Sequence, residues 1–331
     1  RRRGGEKKVD MIRAILLVLS TTLVLAWGLP GEAQIPASRI GVTCALDGTL
    51  VLIDARSIRV THRLSVCRNP GDLAVSPDGR MLLVAESSGA GLALVDLLSV
   101  RLQAPVRSDH LRDPRALTFS KDGSRLYLLN PRLQALLELH VPSFKTVRLM
   151  PLHLPGPQDL AVSPDGGRLF ISHGEAGTVS VVDLASWQLL GQHRLADRIG
   201  GLDVTSDGTR VLVALPESQE VGIYDVQRFT PRDRVPVGQE PSVVRVGPDG
   251  RAVVINSINH DVSVFDPERP SGRFRIGVGV GPRGLTFSPD GRACFVANYD
   301  TGDVSVLDLK DGRQLGRLAV GKGPKALTWI P

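Results

Sequence analysis

Three basic residues occupy one position in three copies of a short pattern: Pro114-Arg115-Ala116-Leu117-Thr118-Phe119, Pro282-Arg283-Gly284-Leu285-Thr286-Phe287 and Pro324-Lys325-Ala326-Leu327-Thr328-Trp329. Cations gathered at one place by a repeating scaffold, among converging backbone and side-chain donors, are what a carboxylate or phosphate requires. Other copies carry Gly71, Gln158, Gly200 and Ser242 at that position. A second repeating position holds Cys44, Glu86, Asn130, His173, Leu215, Asn256 and Asn298. The candidate ligand-binding set is therefore Arg115, Gln158, Arg283, Lys325, His173, Asn256, Asn298 and Glu86. For the three cations the competing reading is ordinary loop charge, with Asp72 and Asp159 as partners.

Histidines supply the only hint of metal chemistry. His110, His153, His173 and His260 all fall in segments expected on one face, and neutral imidazole is a common transition-metal ligand. No His-x-His or His-x3-His spacing joins them, so the expectation is solvated loop histidines and no metal site. There is also no Ser-His-Asp order, zinc spacing, phosphate loop or nucleotide fingerprint, and no catalytic residue is assigned. One departure stands out. Leu52, Leu94, Val181, Ile223, Val264 and Val306 share a position that Glu138 fills in a further copy, with His140 two residues later. A carboxylate between sheets is costly unless paired, so Glu138 is expected to reach Arg125, Arg148 or water, a tuned acid being the alternative.

The elements that position these residues follow from two ladders of aspartate. Asp78-Gly79, Asp122-Gly123, Asp165-Gly166, Asp207-Gly208, Asp249-Gly250 and Asp290-Gly291 recur at intervals of 41 to 44 residues. Each lies between alternating apolar runs, a hairpin signal attributed to two residues that tolerate positive φ. The second ladder, Asp54, Asp96, His140, Asp183, Asp225, Asp266 and Asp308, marks the end of a third strand and keeps the same period. Four short strands every 42 residues or so indicate propeller blades. Seven such units fill the chain after Ala33. The expected fold is all-β: a seven-bladed β-propeller with four antiparallel strands per blade. The first copy lacks its first strand, and Pro324–Trp329 supplies it, closing the ring. Basic residues such as Arg59, Arg63, Arg273, Arg275, Arg313 and Arg317 fall on outermost strands, where charge discourages edge pairing.

Composition limits the remaining choices. The formal charge is +6 with 4% aromatic residues, but half of that charge lies in residues 1–33, so a dedicated nucleic-acid groove is not expected. Residues 1–33 read as upstream read-through plus a secretory signal: Arg13, an apolar run from Ala14 to Leu29, then a small-residue cleavage site ending at Ala33. The expected organisation is a short linker at 34–38 and a single propeller over 39–331. The protein is then periplasmic or secreted and monomeric, meeting a membrane only if the signal stays uncleaved. Cys44 and Cys67 fall at neighbouring strand ends, so a bridge and free thiols are both open; Cys294 is left over.

The repeats resemble the YVTN-type β-propeller family. The second strands Phe295-Val296-Ala297-Asn298 and Val253-Val254-Ile255-Asn256 carry the likeness, as do the Pro157–Gly166 first strand and the Val179–Asp183 third strand. The resemblance implies an exported bacterial or archaeal propeller and little chemistry, because its pattern consists of strand and turn residues. By analogy with propellers, a ligand would sit over the channel, on the face bearing the inter-blade loops. The leading expectation is an extracytoplasmic binding or interaction scaffold recognising a protein or small anionic ligand there, with no cofactor. The alternatives are an accessory or cofactor-assisted redox propeller, haem- or quinone-associated, and, further off, a lactone hydrolase.

Overall fold

The computed structural model describes residues 38–331 apart from Ser88. The signal-peptide reading lies outside the described residues. The described chain forms seven antiparallel sheets arranged as the blades of a propeller, all strand and turn. Blade 7 is representative: Pro282–Phe287 innermost, then Ala293–Asn298, Asp303–Asp308 and Arg313–Ala319 outermost. Blade 2 departs from this. Its outermost strand runs as two pieces, Arg101–Leu102 and Val106–Arg112, both paired with Ala90–Asp96. The break contains Pro105, which has no N–H to give to a ladder.

Second and third strands are apolar almost without alternation because both faces of each sheet are covered by neighbouring blades, as with Leu82-Leu83-Val84-Ala85. The core is accordingly divided. Leu50 and Leu52 of blade 1 pack with Leu82 and Val84 of blade 2. Leu83 and Leu92 of blade 2 pack with Leu126 and Leu128 of blade 3. The same arrangement continues around the ring to Phe295 and Val304 of blade 7 against Ile40 and Val42 of blade 1. Closure is as expected from the sequence: Pro324–Ile330 pairs antiparallel with Arg39–Cys44, Arg39 opposite Ile330 and Val42 opposite Leu327.

The Asp-Gly turns form, but not by the mechanism expected. Gly79, Gly123, Gly166, Gly208, Gly250 and Gly291 have positive φ, whereas the aspartates do not. Asp works through its side chain. Asp78 Oδ1 accepts from Ser76 Oγ at 2.5 Å and from the Arg80 N–H at 3.1 Å, and Ser76 Oγ accepts from the Met81 N–H at 3.0 Å. Ser163 with Asp165, and Ser288 with Asp290, repeat this. The second ladder caps turns as read: Asp308 Oδ1 accepts the N–H groups of Lys310 and Asp311 at 2.9 and 3.0 Å.

All three cysteines are free thiols, so the possible Cys44–Cys67 bridge is not formed. Cys44 Sγ instead points to the Val320 carbonyl at 3.7 Å. Burial pushes the Cys44 and Cys67 thiols up to about 11 and about 12, which leaves them protonated and unreactive.

Glu138 is fully buried and paired. Its Oε1 lies 3.0 Å from Arg125 Nε, its Oε2 2.5 Å from Arg148, and the Arg148 guanidinium stacks 4.5 Å above the Trp187 ring. Both arginine side chains stay about one-third exposed. Removing the carboxylate would therefore let them turn to water rather than strand them. Glu138→Leu, which restores the aliphatic residue of the other blades, is expected to change unfolding free energy by less than about 1 kcal/mol. A chemical-denaturation curve checks this; a loss of several kcal/mol would show that the ion triad contributes net stability.

Candidate functional site: the mouth of the central channel

Innermost strands face the channel, and their starts share one face with the loops between second and third strands, since Pro70 pairs with Glu86 and Pro282 with Asn298. Arg115, Gln158, Ser242, Arg283 and Lys325 line one cavity there of about 440 Å³. A chamber of about 250 Å³ shares Asp72, Asp159, Arg245, Arg283 and Lys325 with it. Arg115, Gln158 and Arg283 are exposed, and Lys325 is half-buried. Arg283 lies 5.5 Å from the centre of the Tyr299 ring, which steadies its guanidinium. Burial, and then the charge of Arg115, pull the Lys325 ammonium below its ordinary range, with Asp72 and Asp113 acting in the opposite sense. Among the described residues, Arg115, Arg283 and Lys325 form no ion pair with a carboxylate, unlike Arg245, Arg234 and Arg198.

Asp72 and Asp159 therefore form no ion pair with the rim cations. Asp159 takes both arms of the Arg245 guanidinium, Oδ2 to Nη1 at 2.8 Å and Oδ1 to Nη2 at 3.1 Å. It also accepts the N–H of Leu160 on its own strand and that of Leu202 on the next blade, at 3.0 and 3.1 Å. Asp203 likewise bridges two blades, accepting the N–H groups of Val204 and Val246 at 2.8 Å each. Asp72 accepts the Leu117 N–H of blade 3 at 3.2 Å. These carboxylates staple neighbouring innermost strands, Asp72 and Asp159 doing so beside a bulge in their own strand. Burial, then the charge of Asp159, hold Asp72 above the usual carboxylate range. Burial does the same for Asp203 despite Arg245. For Arg245 burial opposes the charge, but Asp159 and its neighbours outweigh it and the net shift is upward.

The other candidates lie elsewhere. Asn256, Asn298 and His173 are fully buried between strands rather than on the channel. Asn256 Nδ2 donates to Asp261 Oδ1 and Ser263 Oγ at 2.7 and 2.8 Å, and its Oδ1 accepts the Gly238 N–H at 3.0 Å. Asn298 donates to Asp303 and Ser305 at 2.7 and 2.9 Å. His173 Nε2 meets Ser180 Oγ at 2.8 Å. One internal tie thus recurs in three blades, an amide or imidazole to a serine seven residues on. Glu86 pairs with Arg107 at 3.2 Å and borders a separate small cavity with Cys67 and Pro105.

His173 corrects the expectation of four solvated histidines. Burial pushes its pKa down to about 4, although the nearby Pro155 and Leu154 carbonyls favour the charged form without meeting hydrogen-bond geometry at Nδ1. His110 and His153 are exposed and His260 is half-buried. Among the described residues no three His, Cys, Asp or Glu side chains gather closely enough to hold a metal ion.

No family model and no curated protein matches the sequence. Among solved structures, the chain is similar to Kuenenia stuttgartiensis hydrazine synthase at 20% identity and TM-score 0.72, covering 86% of this chain and 98% of that one. It is also similar to a functionally unknown protein from Desulfotomaculum acetoxidans at 14% identity and TM-score 0.77, covering 88% and 98%. These likenesses show the fold alone. The chain is a seven-bladed β-propeller.

Proposed function

We propose that the protein is an extracytoplasmic binding scaffold, built from YVTN-type repeats, that holds a small anionic ligand at the channel mouth. The carrying observation is that Arg115, Arg283 and Lys325 enter one cavity from blades 3, 7 and 1 and that, among the described residues, none of them forms an ion pair with a carboxylate. Blade-forming residues recur around the ring and serve folding, whereas these cations occur in three blades of seven and are asymmetric, as a site must be. Cations that form no ion pair among the described residues, beside a half-enclosed space, favour an anion by charge and by donor geometry. Gln158 and Ser242 add neutral hydrogen-bonding groups to the same wall.

The test is calorimetric titration of acetate and inorganic phosphate into the wild type and into the combined Arg115→Ala, Arg283→Ala, Lys325→Ala variant. The triple variant is expected to bind more than about a thousandfold more weakly or not at all, given about 1.5–3 kcal/mol for each of three charge-assisted contacts. Its melting temperature should be unchanged or higher, since three mutually repelling charges are removed. Retained affinity in a folded triple variant refutes the site.

A further inference from the structure

The cavity has a second pole, and its chemistry narrows the ligand class; this inference rests on the anion reading above. One residue further along the innermost strands, blades 2 and 4 present Asp72 and Asp159 to the space that the rim cations border. The neighbouring blades have Ala116, Gly201, Val243, Gly284 and Ala326 there, none of them charged. The two carboxylates differ. Asp159 is held in the fork of Arg245. Asp72 has no cation in ion-pair contact among the described residues; Arg245 and Lys325 act on it only from further away.

A ligand carrying negative charge alone would be held at the rim and repelled from the chamber beneath. One carrying a positive end would find an open carboxylate a short step below the rim, successive strand residues rising about 3.4 Å. Burial and then the charge of Asp159 hold Asp72 above its ordinary pKa, and Arg245 offsets them only in part, so a cation placed beside it would be favoured. The volumes, about 250 and 440 Å³ with shared walls, suit a small molecule rather than a macromolecular segment.

We propose that the channel binds a small zwitterion, its carboxylate or phosphate held by Arg115, Arg283 and Lys325 and its protonated amine reaching Asp72 in the chamber. A neutral or anionic tail would leave Asp72 uncompensated, so the amine gives selectivity as well as affinity.

Two matched probe pairs test this by titration: butyrate against 4-aminobutyrate, and ethyl phosphate against 2-aminoethyl phosphate. In the wild type the amino member of at least one pair should bind tenfold or more tightly than its partner, and the pair that does so tells carboxylate from phosphate. Asp72→Asn keeps an acceptor for the Leu117 N–H, and a melting curve confirms that it folds. It should erase the preference by weakening the amino probe, with the plain anion bound equally or better. Arg283→Ala should weaken both members of the pair. Equal binding of both members in the wild type, or a preference that survives Asp72→Asn, overturns the zwitterion proposal while leaving the anion site standing. Failure of the wild type to bind any of the four probes overturns both.

Discussion

Removal of Pro324–Pro331 is expected to lower the melting temperature by more than about 10 °C and to turn much of the protein into aggregates. The segment buries Leu327 and Ile330 and half-buries Trp329, worth roughly 1.5–3 kcal/mol for each of the two buried side chains. It also supplies the ladder partner of Arg39–Cys44, whose N–H and C=O groups would become an unpaired edge beside the channel. The damage does not stop at one blade. Leu327 belongs to the cluster between blades 7 and 1, and Ile330 to the cluster between blades 1 and 2, so both interfaces open. For a chain of this size each kcal/mol lowers the melting temperature by about 2–4 °C or somewhat less. Scanning calorimetry with size-exclusion chromatography reads the result. The point variant Ile330→Ala should follow in the same direction with a loss of about 2–4 kcal/mol. A truncated protein that stays monomeric with the wild-type transition would rule out ring closure as the source of stability.

His173→Asn is expected to make the protein more resistant to acid. In the folded state burial holds the imidazole at about 4, against 6.5 for an ordinary histidine. A depressed folded pKa means stability that is fully present above 6.5 and is lost as pH falls towards 4, because the unfolded chain takes up the proton first. At about 1.4 kcal/mol per unit, the loss between those limits is on the order of 2–3 kcal/mol. Asparagine occupies this position in blades 6 and 7 and bonds the equivalent serine there, so the substitution should be tolerated at pH 8. Exposed turn aspartates, with Asp122 and Asp225 held down to about 2, titrate alike in both proteins and cancel in the comparison. Melting temperatures at half-unit steps from pH 8 to pH 4 should converge with, or cross, those of the wild type. Parallel curves would mean that His173 contributes nothing to acid lability.

Architecture was legible because it is written seven times. Turn aspartates, apolar second strands and the displaced first strand each recur, and recurrence turns weak local signals into a count. The site was half legible for the same reason. Comparing copies singled out Arg115, Arg283 and Lys325, and it singled out Glu138 with both of its arginine partners. It should equally have singled out Asp203 and Arg245. They stand where other innermost strands carry Ala74, Thr118, Ala161, Thr286 and Thr328, three residues beyond the strand start where the rim cations sit. Asn256, Asn298 and His173 were misplaced because a residue at a strand end reads as loop-facing. The seven-residue spacing to Ser263, Ser305 and Ser180 carried the correction all along.

The pairing of Arg39 with Ile330 has a mechanical side. The two strands at the seam run antiparallel, and their outer ends lie directly opposite one another. A pull that separates those ends loads the ladder one rung at a time, beginning at Arg39–Ile330 and finishing at Cys44–Pro324, so it peels the ring open at low force. The same rungs pulled lengthwise along the strands would share the load. In a force spectrometer the ring should thus open at its seam before any other strand pair yields, and a staple across that first rung should raise the force needed more than one placed anywhere else along the pair.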